Sequence, residues 1–324
     1  MIGERQVIAG EDDRASPGHV LNPPRAGPEE DPQRYPQRVL CQPVAHGHIV
    51  ACPGALRDAL AGTACDDSTM SPVLPGAEPF DHSGGPVGVL LCHGFTGSPQ
   101  TLRGWADYLA AQGLTVSLPR LPGHGTTWQD LARTGSDDWF AEVDAAFGKL
   151  ASRCEQAFVF GLSMGGCLAL RVAETRGAAV RGLVLVNPSL APDTKLFLLA
   201  PVLKHVIRSL PGIASDISKP GAHELGYDRV PVRAAATLPK LWSETVRNLS
   251  QVTQPVLVYR STVDHVVGPA SMRALLAGLP KDRVTVRECA DSYHVATLDH
   301  DAEAIFEGSV TFIQAVTTGN ITLT

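Results

Sequence analysis

Gly161-Leu162-Ser163-Met164-Gly165 sets a serine between two glycines, each two residues away. That spacing suits a sharp strand-to-helix turn, in which the serine backbone is strained and its hydroxyl stands above the edge of a sheet. The flanking residues agree with such a turn. Ala157-Phe158-Val159-Phe160 reads as a parallel strand covered on both faces, and Gly166 to Glu174 reads as a helix whose N-terminus faces the serine. A serine hydroxyl is a weak nucleophile near neutral pH, so it needs a base, and the base needs a carboxylate to orient it.

On a turn of this kind the partners follow in the order acid, then histidine. The downstream histidines are His205, His223, His265, His294 and His300. His294 lies in the loop after the last expected strand, where it would project back towards the serine, and it is the candidate base; His300 is the reserve. His205 and His223 fall in a stretch outside the regular pattern, and His265 directly precedes a helix. Asp264, in the turn after the strand Pro255 to Tyr259, is the candidate acid. Asp193 competes with it, as does Asp291, which stands too near His294 in the same loop for the usual arrangement. Two backbone N–H groups must face the developing oxyanion. Met164 supplies one candidate and Phe95, in Cys92-His93-Gly94-Phe95-Thr96-Gly97, the other; His93 reads as a buttress of that turn.

The elements that must hold these residues alternate along the chain. Strands are expected at Val87 to Cys92, Leu114 to Leu118, Ala157 to Phe160, Val180 to Val186, Pro255 to Tyr259 and Val284 to Arg287. Helices are expected at Pro99 to Gln112 with Ser98 as its cap, Asp137 to Arg153, Ser271 to Ala277 and Asp301 to Val316. The fold class is α/β, a mostly parallel doubly wound sheet with helices on both faces. Between Asn187 and Gln254 the alternation stops. An apolar helical stretch with Leu196, Phe197, Leu199, Val202, Leu203 and Val206, broken by Pro201 and ended by Pro211, suggests a helical lid inserted at about residues 189–250, above the strand ends where ligands bind.

Residues 1–69 differ in kind. They hold one of the chain's eighteen aromatic residues, Tyr35, and eight prolines, so they are expected to stay outside the folded core. Met70 stands where the folded composition begins and is a candidate alternative start, leaving 70–324 as the folded domain. A net charge of −6 leaves no basic footprint for nucleic acid. No run approaches the roughly 20 apolar residues of a membrane span, and the acidic N-terminus is not a secretory signal. Seven cysteines without CxxC spacing suit a reducing compartment, so a cytoplasmic location is expected, with no cofactor and no metal.

Taken together, His93-Gly94-Phe95-Thr96-Gly97, Pro122-Gly123-His124-Gly125, Gly161 to Gly166, Asp264 and Ser292-Tyr293-His294 with Thr297-Leu298-Asp299 resemble the α/β-hydrolase superfamily, and within it bacterial carboxylesterases and monoacylglycerol lipases. The resemblance spans roughly residues 75 to 317. It implies Ser163 as nucleophile, Asp264 and His294 as its partners, and Phe95 and Met164 as oxyanion donors. A single residue between His-Gly and the donor looks like the loop of enzymes that take medium or long acyl chains. The expected activity is hydrolysis of lipophilic esters such as monoacylglycerols through an acyl-enzyme, with transient membrane-surface contact through the lid. The same triad could serve carbon–carbon bond hydrolysis, thioester hydrolysis or acyl transfer, and the fold could serve as a ligand-binding receptor without turnover.

Overall fold

Short apolar runs pair into one seven-stranded sheet. The structure, a computed structural model, describes residues 71–192, 196–213 and 215–319, without the side chains of 196–198 and 201. The expectations for residues 1–69, Met70 and Asp193 therefore fall outside the described residues. Those described belong to one compact unit, Asp66–Thr324. The strands are β1 (Phe80–His82), β2 (Val87–Cys92), β3 (Thr115–Leu118), β4 (Gln156–Leu162), β5 (Val180–Val186), β6 (Ser209–Pro211), β7 (Arg229–Pro231), β8 (Val256–Ser261) and β9 (Val284–Cys289). The helices are α1 (Gln100–Ala111), α2 (Trp128–Leu131), α3 (Ser136–Ala151), α4 (Met164–Arg176), α5 (Leu196–Leu203), α6 (Val232–Ala235), α7 (Leu238–Asn248), α8 (Pro269–Gly278) and α9 (Ala302–Thr318).

The large sheet runs β1-β3-β2-β4-β5-β8-β9 and is parallel except for β1, which pairs antiparallel with β3. β2, β4 and β5 are buried on both faces, which is why their sequences read as continuous apolar runs rather than as alternation. Helices α1 and α9 cover one face: Leu102, Trp105 and Leu109 meet Ile305, Phe306 and Phe312 over Phe158 and Phe160. Trp105 stacks on Phe160 with ring centroids 5.2 Å apart. Helices α3, α4, α7 and α8 cover the other face around Trp139, Phe147 and Leu168. Each large apolar side chain removed from water contributes about 1.5–3 kcal/mol, so the strand that carries Ser163 is anchored from both sides.

Three local readings are corrected. Ser98 does not cap α1 with its side chain; its carbonyl instead accepts from the amide and hydroxyl of Thr101, and Pro99 leads the helix. Pro201 does not break the apolar stretch, because α5 runs through it to Leu203. The edge strand β1 was not expected at all, being three residues long.

The chain between β5 and β8 holds α5, the small β6–β7 ribbon, α6 and α7. Helix α7 packs into the body through Leu238, Leu241 and Trp242, and Thr245 lies against the Cys167 thiol of α4 at 3.2 Å. Helix α5 is different: its Leu199 and Val202, and Val206 in the turn that follows it, are 55, 69 and 80% exposed.

Candidate active site

Ser163 sits between β4 and α4 with φ 56° and ψ −121°, a left-handed backbone that a non-glycine residue adopts only under local constraint. The constraint is visible in its neighbours. A Cβ on Gly161 would overlap the Gly165 carbonyl, and a Cβ on Gly165 would overlap the Cys92 carbonyl, so both positions require glycine. The Ser163 amide donates to the Val186 carbonyl at 2.9 Å, and the Ser163 carbonyl accepts from the amides of Gly166 and Ser189 at 2.9 and 3.1 Å. The turn is thus tied to β5 and to its own helix.

The loops after β8 and β9 bring Asp264 and His294 together. His294 Nδ1 lies 2.8 Å from Asp264 Oδ2, and the two side chains are only 7 and 9% exposed. The other carboxylate oxygen, Oδ1, accepts from the amides of Val266 and Val267 at 2.8 and 2.7 Å. Burial pushes the Asp264 carboxyl up, but the His294 bond and charge and the two amides outweigh it and hold the group below its usual range. An ionised Asp264 favours the tautomer of His294 that carries its proton on Nδ1 and leaves Nε2 as the acceptor.

Ser163, His294, Phe95 and Met164 all line one cavity of about 410 Å³, a size ordinary for small-molecule sites. A Cβ placed on Gly94 would lie 3.5 Å from the Ser163 Cβ, so the loop that carries Phe95 runs directly beside the serine. His93 does buttress that loop: its Nδ1 bonds the Gly94 carbonyl at 3.0 Å and its Nε2 accepts from the Leu121 amide at 3.2 Å. Complete burial, with a smaller contribution from the charge of Arg120, lowers His93 to about 4 despite the Gly94 bond, so it is a neutral strut.

The remaining sequence candidates lie elsewhere. His205, His223, His300 and Asp291 are exposed, and Asp291 is 10 residues from the Asp301 carboxylate that its amide contacts. His265 does line the cavity, but its Nδ1 bonds Asp216 Oδ1 at 2.8 Å rather than Asp264. Four further residues support the site; the sequence reading had singled out only Asp299, within Thr297-Leu298-Asp299, and had given it no role. Asn187, with φ 45°, donates to the His294 carbonyl at 2.8 Å and to Ser261 Oγ at 2.9 Å. Asp216 and Asp299 bind amides of the His294 loop, and Glu224 faces the cavity. Burial raises the Glu224 carboxyl against the opposing charge of His294. Asn187 had a positional clue, its place directly after a buried strand.

A parallel sheet wound on both sides, a strained serine at a strand-to-helix turn and a buried histidine–carboxylate pair beyond it define an α/β-hydrolase. The family model described as serine aminopeptidase S33 (Hydrolase_4) matches residues 87–301, and the chain belongs to that family. A thermostable monoacylglycerol lipase of Bacillus sp. strain H-257 is 40% identical over 250 residues, covering 76% of this chain and 97% of that one. A carboxylesterase of Bacillus subtilis strain 168 is 25% identical over 248 residues, covering 76 and 98%. Among solved structures, one of the metagenome-derived lipolytic enzymes LipS and LipT superposes with a TM-score of 0.73 at 39% identity, covering 75% of this chain and 99% of that one. The family is described by a peptidase, whereas the relatives matched over nearly their whole length are ester hydrolases. The chain is a carboxylic ester hydrolase. Among the described residues no helix is long and apolar enough to cross a membrane.

Proposed function

We propose that the protein hydrolyses lipophilic esters of the monoacylglycerol class through an acyl-enzyme on Ser163. The buried His294–Asp264 bond at 2.8 Å, opening onto the cavity that Ser163 lines, is the observation that carries this reading. Ser163 Oγ attacks the ester carbonyl while His294 Nε2 takes its proton, and the amides of Phe95 and Met164 hold the oxyanion. His294 then gives that proton to the departing alcohol. Water repeats the sequence on the acyl-serine, which releases the fatty acid and restores the serine. Asp264 keeps the imidazole in the productive tautomer and stabilises its charged form.

The mostly apolar lining supports an acyl chain, with a few polar groups among it for the alcohol. Leu203, Leu210, Val230, Leu238 and Trp242 supply apolar wall, and Glu224 supplies a polar one. Of the apolar stretch read as a lid, Leu203 lines the cavity, whereas Leu199, Val202 and Val206 are exposed. Those exposed side chains fit transient contact of α5 with a lipid surface, with the chain around α5 acting as a lid. Residues 1–69 contribute neither fold nor catalysis in this reading, and a chain that begins at Met70 keeps both its Tm and its ester turnover.

A series of p-nitrophenyl esters and 1-monoacylglycerols from C2 to C18, assayed below their micellar concentrations, tests the substrate class. Each methylene buried is worth about 0.8 kcal/mol, so kcat/KM should climb roughly threefold to fourfold per methylene until the wall is filled. The optimum is expected between about C8 and C14, from helix dimensions of roughly 1.5 Å per residue. A monotonic fall from C2 would replace this reading with a small-ester hydrolase.

A further inference from the structure

Residues 215–227 cross the site as a strap stitched to the loops on both sides of it. On one side, Asp299 Oδ2 accepts from the amides of Ser218 and Tyr293 at 2.7 and 2.9 Å, and its Oδ1 from those of Lys219 and His300 at 2.8 and 2.9 Å. On the other, the Tyr227 amide donates to the Thr96 carbonyl at 2.9 Å, and the Tyr227 hydroxyl donates to the Gly123 carbonyl at 2.8 Å. Gln100 Oε1 accepts from the Leu225 amide at 2.9 Å. These contacts pin the strap and the loops together without any help from Asp216.

What Asp216 adds lies at the reacting groups themselves. Its Oδ2 accepts from the amide of His294 at 3.2 Å and from that of His265, the residue after Asp264, at 3.1 Å. Its Oδ1 is 2.8 Å from His265 Nδ1, and its carbonyl accepts from the Val295 amide at 3.1 Å. One carboxylate, 8% exposed, thus grips the loop of the base and the loop of the acid at once. The carbonyl of His294, on the other side of its Cα, accepts from Asn187.

We infer that Asp216 is a positioning residue for ester hydrolysis: it fixes His294 relative to Asp264 by sharing one carboxylate between their two loops. The inference rests on the assignment of Ser163, Asp264 and His294 proposed above. Because Asp216 acts through the histidine rather than on the acyl chain, its loss should lower kcat and leave KM nearly unchanged. A misplacement of about 1 Å at a catalytic group can cost on the order of 100-fold.

The test is Asp216→Asn beside the wild type and Ser163→Ala. Expected for Asp216→Asn is a kcat lower by about 10- to 100-fold for C4 and C10 p-nitrophenyl esters alike, with KM within about twofold. Fluorophosphonate labelling should slow by the same factor yet still reach the wild-type stoichiometry, which separates misalignment from loss of folded protein. Should Asp216→Asn not fold, Asp216→Glu, which keeps the charge but displaces the carboxylate by a methylene, carries the same expectation. Wild-type kcat in the Asp216 variant, a loss that depends on chain length, or a loss matched by fewer labelled sites would overturn the inference. Turnover surviving in Ser163→Ala would instead overturn the nucleophile assignment, a separate failure.

Discussion

Two histidine–carboxylate pairs border the same cavity, and each is joined by a contact of 2.8 Å, yet their surroundings differ. In the His294–Asp264 pair both side chains are nearly buried, 7 and 9% exposed; in the His265–Asp216 pair the carboxylate is 8% exposed but the imidazole is 54% exposed. A buried carboxylate can command the orientation of an imidazole that water does not reach. An imidazole half in solvent has water as a rival partner, and even a charged contact at such exposure contributes only on the order of 0–1 kcal/mol. Distance alone would rank the pairs equal. Burial of the imidazole is the observation that favours His294 over His265 as the proposed proton carrier.

The sharpest way to break that comparison is to remove each imidazole in turn. His294→Ala should lower kcat by at least about 10⁴, whereas His265→Ala should stay within about threefold, both read from steady-state ester hydrolysis. Equal losses would mean that the pairs share the work. The next effect concerns the carboxylate of the buried pair. Asp264→Asn should keep the wild-type circular dichroism and lower kcat by about 10³ to 10⁴, because Nδ1 loses the acceptor that sets the tautomer. Near-normal turnover would move the acid to Asp193.

Much of this site was legible because its parts sit on strongly patterned elements. Ser163 follows a buried strand and is bracketed by glycines whose added Cβ atoms would strike backbone, a constraint that leaves a spelling in the sequence. Asp264 and His294 follow the last two strands of a parallel sheet, so the chain order predicted their loops. Asp216 and Glu224 had no such spelling, and Asp299 stood only at the end of Thr297-Leu298-Asp299, with no role attached. Asp216 and Glu224 lie in the irregular chain between β5 and β8, where no period of 2 or 3.6 sets a face, and Asp216 meets partners 49 and 78 residues away. Asn187 meets His294 across 107 residues. Pairings of that span depend on how the loops close over the sheet, which local propensity does not encode. Ser98 shows the converse: a residue type suited to capping a helix was placed one position too early to do so.

A smaller effect sharpens the comparison by accessibility. Diethylpyrocarbonate, followed by peptide mass spectrometry, should modify His265 well before His294, with activity lost in step with His294 only. Activity lost in step with His265 would reverse the roles. The smallest effect extends the series to a histidine with no exposure at all. His93 is lowered by burial to about 4 in the fold, against an ordinary 6.5. The unfolded chain therefore takes up the proton first, and the stability that neutral His93 contributes is complete above about 6.5 and fades as the pH falls towards 4. The Tm difference between the wild type and His93→Asn should narrow between pH 7 and pH 5. A difference independent of pH would show that His93 is not held neutral.

The central claim is that Ser163 is the one serine activated by the buried pair. Intact-mass analysis after treatment with a fluorophosphonate probe tests it most directly, because the adduct forms only where a base and an oxyanion site act on the same hydroxyl. The account predicts a single adduct on the wild type, mapped to Ser163, and none on Ser163→Ala over the same time. Equal labelling of the two proteins, or an adduct mapped to another serine, would contradict it.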